Sequence, residues 1–115
     1  MRVLVCGGRK FADIKFLRQE LDKIHEIFPI TCIIEGGAGG ADYLSGCWSR
    51  QRGLKDHASF EADWDNWGKM AGPIRNQRMI DEGKPDYYVA FPGGPGTADM
   101  VRRLKKANIP GKVFK

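Results

Sequence analysis

Long apolar runs are absent from this chain. Nothing in its 115 residues approaches the roughly 18 consecutive apolar positions that suggest a membrane span. The first apolar run breaks at Gly7, Gly8 and Arg9, so a secretory leader is not expected and a cytoplasmic protein without membrane contact is. Cysteine is scarce. Cys6, Cys32 and Cys47 are odd in number, form no CxxC pair and lie in apolar stretches, the pattern of reduced core residues rather than of a disulfide framework or a nucleophile. His25 and His57 have no partners at ligand spacing, so no metal is expected. No Gly-Lys-Ser/Thr follows a glycine cluster and no standard GxGxxG occurs, which sets aside P-loop ATP hydrolysis and names no cofactor. Linkers, low-complexity segments and long sequence repeats are also missing. One domain spanning residues 1–115 follows, long enough to bury a core without disulfides or metal.

What the chain has in excess is glycine: fifteen residues, nearly double the roughly 7% of an average protein. Nine of them fall in three places, Gly7 and Gly8, then Gly36, Gly37, Gly39 and Gly40, then Gly93, Gly94 and Gly96. Each cluster follows a short apolar run that reads as a buried strand: Val3 to Cys6, Ile30 to Ile34, and Tyr87 to Phe91. Residues 55 to 60 read as a weaker strand and Lys112 to Phe114 as a last short one.

Helices alternate with these strands. Asp13 caps a first helix whose apolar residues Ile14, Leu17, Leu21, Ile24 and Phe28 recur at spacings of three and four, with Pro29 closing it. A second helix runs through Leu44, Cys47 and Trp48 to Gly53. A third carries Pro73 in its first turn and ends at Gly83. Thr97 is expected to cap the fourth, and Asn108 to take a left-handed conformation after its last turn. The stretch EADWDNWGKMAG reads as a loop. The alternation predicts an α/β fold, a parallel sheet of about five strands covered on both faces.

In such a sheet all three glycine loops emerge at one edge. Glycine lets backbone N–H groups turn toward an anion and lets a ligand approach the main chain. The two later loops also lead into helix N-termini, which favour negative charge. Phosphate is therefore the expected guest, although any single loop could be no more than a tight turn. If the first and fourth strands are neighbours, CGGR and PGGPGT, with Pro92 at the head of the latter, flank the crevice where strand order reverses. The net charge of +5 suits an anionic partner. Arg102, Arg103, Lys105, Lys106, Lys112 and Lys115 fit the solvated face of a last helix as well as a binding patch.

Other side chains have two readings each. Arg75 and Asn76 lie in the first turn after Pro73, where a guanidinium can fork onto phosphate or simply face solvent. Arg9, beside Gly8, has the same choice. Asp42 can accept ribose hydroxyls or only favour its helix N-terminus. An indole of Trp64 or Trp67 can stack on a base, or pack in the core or against a second copy.

The segments VCGGR, GGAGGAD, ADW, AGPIRNQRMID and AFPGGPGTADMVR, taken together and in order, resemble the YspA-type, cpYpsA-related branch of the SLOG superfamily. The resemblance spans nearly the whole chain. It implies a Rossmann-like three-layer αβα fold with strand order 3-2-1-4-5, a nucleotide or nucleotide-derived ligand, and a homo-oligomer, dimer or larger. It also implies two alternatives to simple binding. LOG relatives are phosphoribohydrolases that cleave a base from a nucleoside monophosphate, and DprA relatives bind single-stranded DNA. LOG enzymes carry a catalytic glutamate in PGGxGTxxE and an arginine on the preceding helix that assists departure of the base. Gly93, Gly94, Gly96 and Thr97 match the first part of that motif, and Arg75 stands near the arginine's position. Met100 occupies the place of the glutamate, and Asp99 precedes it by about 100° of helix turn. Arg75 and Asp99 are therefore the catalytic pair that the hydrolase alternative would use, without the carboxylate that normally stabilises positive charge on the sugar.

Overall fold

A computed structural model describes residues 1–115. Five parallel strands, β1 (Arg2–Cys6), β2 (Cys32–Glu35), β3 (Asp56–Ser59), β4 (Tyr87–Ala90) and β5 (Gly111–Val113), form one sheet in the order β3-β2-β1-β4-β5. The helices are α1 (Ile14–Ile27), α2 (Ala41–Gln51), α3 (Trp64–Trp67), α4 (Ala71–Asp81) and α5 (Pro95–Lys106). The expected architecture and strand order are both present. No helix is long and apolar enough to cross a membrane.

Alternation along the central strand builds the two faces. Val3 and Val5 of β1 join Ile33, Val89 and Phe91 under Leu17 and Leu21 of α1 and Trp48 of α2. Leu4 and Cys6 point the other way, to Ile34, Tyr88 and Ala90 under Met79 and Ile80 of α4 and Met100 and Leu104 of α5. β1 is sealed because both faces and both edges are occupied. The edge strands β3 and β5 remain largely exposed, which is why their apolar signal in the sequence is weak.

Local signals set the helix ends. Asp13 Oδ1 accepts from Phe16 N at 3.1 Å, as its place before the apolar stripe predicts. Asn108 stands at φ 59° beyond α5. Two expectations need correcting. Residues 61–70 are not a plain loop: Asp63 caps α3 by accepting from Asn66 N at 3.2 Å, and a 3-10 turn, Gly68–Met70, follows. Four residues are too few to show a helical period. Thr97 does not cap α5; Gly94 is the N-cap and Pro95 opens the first turn, where its missing N–H costs nothing.

Candidate functional site

The chain moves from β1 outward to β2 and β3, then crosses back to β4. The point of reversal therefore lies between β1 and β4, where an open α/β sheet leaves a crevice. Gly8 N donates to Pro92 O at 2.9 Å, tying together the turns that leave these two strands. Above them opens a cleft of about 640 Å³.

Three turns meet in its floor. Gly7, Gly8 and Arg9 arrive from β1, Gly36 and Asp42 from the β2 side, and Gly94, Gly96 and Thr97 from the β4 side. Helix α4 adds Arg75 and Asn76, and α5 adds Asp99. Gly37, Gly39, Gly40, Pro92 and Gly93 stand outside the lining, and Gly40 and Gly93 are closely approached by neighbouring turns. A side chain on Gly40, at φ 68°, would collide with the Gly8 carbonyl, and one on Gly93 would collide with Thr97 Oγ1. Sequence reasoning did not single out Lys69 or Gly72, which also line the cleft, and of the basic residues of the last helix and tail Arg102 stands in its lining.

The two helix N-termini at the cleft differ. In α2, Ala41 N donates to Gly8 O at 3.2 Å, and the first turn carries its own carboxylate, Asp42, which accepts from Ala38 N at 3.2 Å. In α5 no acidic residue occupies the first turn, and the N–H groups of Gly94, Gly96 and Thr97 have no acceptor within the chain. The space above Gly94 and Gly96 is open: a Cβ added at either meets nothing within 4 Å. The α5 terminus is thus the place where an anion finds unpaired donors and a favourable dipole together.

Side chains divide the cleft electrically. Arg75 reaches across to the Gly36 carbonyl through Nη1 and donates from Nε to Asn76 Oδ1 at 3.0 Å. Asn76 in turn donates to Gly96 O at 3.3 Å and Asp99 Oδ2 at 3.0 Å, fastening α4 to the start of α5. Asp42 is only 7% exposed. Burial raises its pKa to about 6, the Ala38 N–H opposing, Glu35 adding repulsion, and Arg75 and the Gly36 N–H offsetting part of it. Glu35 is itself held by His57 Nε2 at 2.8 Å and by Gly37 N. Burial would also raise Asp99, yet hydrogen bonds from Arg103 and Asn76 hold it below the usual carboxylate range. Cys6, at the cleft floor, is pushed up to about 12 by burial and by Asp42, so it is a thiol and not a nucleophile.

Neither Trp64 nor Trp67 packs in the core; both are exposed. Trp64 alone of the two lines the cleft, with the Arg9 guanidinium 5.5 Å from its ring centroid. Met100, in the place of the hydrolase glutamate, is 1% exposed and packs into the core under α5. Part of the basic tail is neutralised internally: Arg102 and Arg103 pair with Asp99, and Lys112 with Glu20.

Comparison with known proteins agrees with this frame. The gene 61 protein of Mycobacterium phage D29 is 36% identical over 116 aligned positions, covering 95% of this chain and 92% of that protein. The model of the YspA, cpYpsA-related SLOG family matches residues 1–67, which carry β1 to α3 and two of the three glycine turns. With more than half of its length matched and a relative alignable almost end to end, this chain belongs to the YspA, cpYpsA-related SLOG family.

Proposed function

We propose that the chain binds a nucleotide or nucleotide-derived ligand in the cleft above β1 and β4, with phosphate at the N-terminus of α5. Family membership supports a nucleotide-related ligand. The observation that carries the reading is the set of unpaired N–H groups on Gly94, Gly96 and Thr97 under open space. Arg9, Arg75 and Lys69 line the same cleft and add positive charge toward the anion, while Arg102, also in the lining, shares its charge with Asp99.

Binding without cleavage is favoured over base hydrolysis. Met100 is buried where the hydrolase carboxylate belongs, and Asp99 is committed to Arg102, Arg103 and Asn76. A carboxylate held below its usual range by arginines is a poor general acid or base near neutrality. The DprA-like alternative has less support, because several tail cations are already paired within the chain.

Thermal-shift and calorimetric titration against nucleoside mono- and diphosphates, cyclic nucleotides and ADP-ribose-type compounds test the reading. A ligand present at 100 times its Kd adds about 2.7 kcal/mol of stability. Absence of any shift across all phosphorylated nucleosides would end it. Free base released from a nucleoside monophosphate, and lost in Arg75→Ala, would restore the hydrolase.

A further inference from the structure

The charge in the cleft is not uniform, and its negative part has no partner of matching chemistry. Asp42 and Arg75 both flank the Cα of Gly36: a Cβ built there would stand 2.6 Å from Arg75 Nη1 and 3.0 Å from Asp42 Oδ2. Close as they are, they form no ion pair. Arg75 Nη1 is turned to the Gly36 carbonyl, and the Asp42 side chain meets only backbone N–H groups, Ala38 N at 3.2 Å from Oδ2 and that of Gly36, with no side-chain donor. A buried carboxylate with vacant lone pairs is an acceptor waiting for donors. With Glu35 behind it, a second anion is repelled from this end of the cleft. What fits is a neutral group with adjacent O–H or N–H donors.

Position along the cleft selects among such groups. Gly72 and Arg75 lie three residues apart on one face of α4, about one helical turn. The Trp64 ring covers Gly72, 3.4 Å from a Cβ placed there. Arg75 follows beside Asp42, and Asn76 leads on to Gly96 at the phosphate end. The order is indole, carboxylate with guanidinium, then helix N-terminus. It is the order of base, sugar and 5′-phosphate in a nucleotide.

We propose that Asp42, with Arg75 beside it, reads the vicinal 2′,3′-hydroxyls of a ribonucleoside 5′-phosphate and so selects ribonucleotides over deoxyribonucleotides. This rests on the nucleotide-binding reading above. The two hydroxyls donate to the Asp42 carboxylate while the free face of the guanidinium donates to a sugar oxygen. Removing the 2′-hydroxyl leaves a buried lone pair unsatisfied, and a site built around such a bond rejects the analogue strongly.

Calorimetric titration of the folded protein with AMP, GMP, CMP and UMP, each beside its 2′-deoxy and 3′-deoxy counterpart, tests it. For whichever base binds best, the ribonucleotide is expected to bind at least about tenfold tighter than either deoxy form. In Asp42→Asn, checked by melting to be folded, the gap is expected to shrink to about threefold or less, because the amide replaces one acceptor by a donor. The wild-type comparison stands without the variant. Equal affinity of wild-type protein for ribo and 2′-deoxy forms overturns the sugar readout and leaves nucleotide binding intact. A gap undiminished in folded Asp42→Asn overturns the role of Asp42. If no nucleoside phosphate binds at all, both readings fall.

Discussion

At the start of α2 the protein supplies its own negative charge and its own acceptor; at the start of α5 it supplies neither. Both helices follow a strand and a glycine-rich turn, and both open on the same rim of the sheet. At the first, Ala41 N meets the Gly8 carbonyl and Asp42 sets a carboxylate in the opening turn, whereas at the second Gly94, Gly96 and Thr97 meet neither acceptor nor acid. Glycine density therefore marks two different needs. Around Gly40 it permits one turn to lie against another, and around Gly94 it keeps a surface clear.

Substitutions at these two glycines should break the likeness most sharply. Gly40→Ala forces a side chain into a left-handed backbone and against the Gly8 carbonyl, so a loss of about 3–5 kcal/mol is expected in urea denaturation. If Gly40→Ala melts like wild type, the packing role is wrong.

Next in size is the pH response of the two carboxylates. Asp42 has a folded pKa of about 6, above its unfolded value of about 4. Its protonated form is the one the fold prefers, so its contribution is complete below about pH 4 and is lost as pH rises through about 6. The linkage amounts to about 2–3 kcal/mol. Denaturation from pH 4.5 to 8 should show wild type losing ground to Asp42→Asn as pH rises. Asp99 runs the other way: its folded pKa is depressed, so its contribution is present above the unfolded value and fades as pH falls through the folded one. Parallel pH curves for wild type and Asp42→Asn would show that Asp42 is not a buried ionised group.

A smaller effect sharpens the contrast from the side of α5. Gly96→Asp gives that helix the first-turn acid that α2 already has. The unliganded protein should gain about 0.3–1 kcal/mol, while nucleotide affinity falls by about tenfold or more. Stability and binding moving in opposite directions is the signature; equal changes in both would point to damage. Smallest of all, Gly94→Ala should melt within about 0.5 kcal/mol of wild type, since nothing lies near its added methyl.

The sheet and most helices were legible because buried strands read as apolar runs and α1 repeats at threes and fours. Asp13 and Asn108 announced their roles through local chemistry that needs no distant partner. The difference between the two glycine turns was not legible. It depends on Gly8 meeting Ala41 and on Arg75 meeting Gly36, contacts between residues far apart in the chain. Nor could spacing alone tell that Met100 would sit almost fully buried at the floor of the cleft while Asp99, its neighbour, is tied up by Asn76 and two arginines. For Trp64 the sequence leaves core packing, contact with a second copy and a base-stacking platform all open, because an indole in a short capped turn carries no periodic signal.

The Asn76 side chain, nearly shut off from solvent, grips both Gly96 and Asp99. Two helices are thereby clasped into one slab before any guest arrives, so little ordering remains to be done on that wall. If the cleft takes the proposed ligand, the solvent-facing segment from Trp64 to Met70, which lacks any buried residue, is the wall left free to adjust. Emission from the indole at its head is then a natural reporter of occupancy, whereas amide exchange in α4 and at the start of α5 should be slow already in the empty protein.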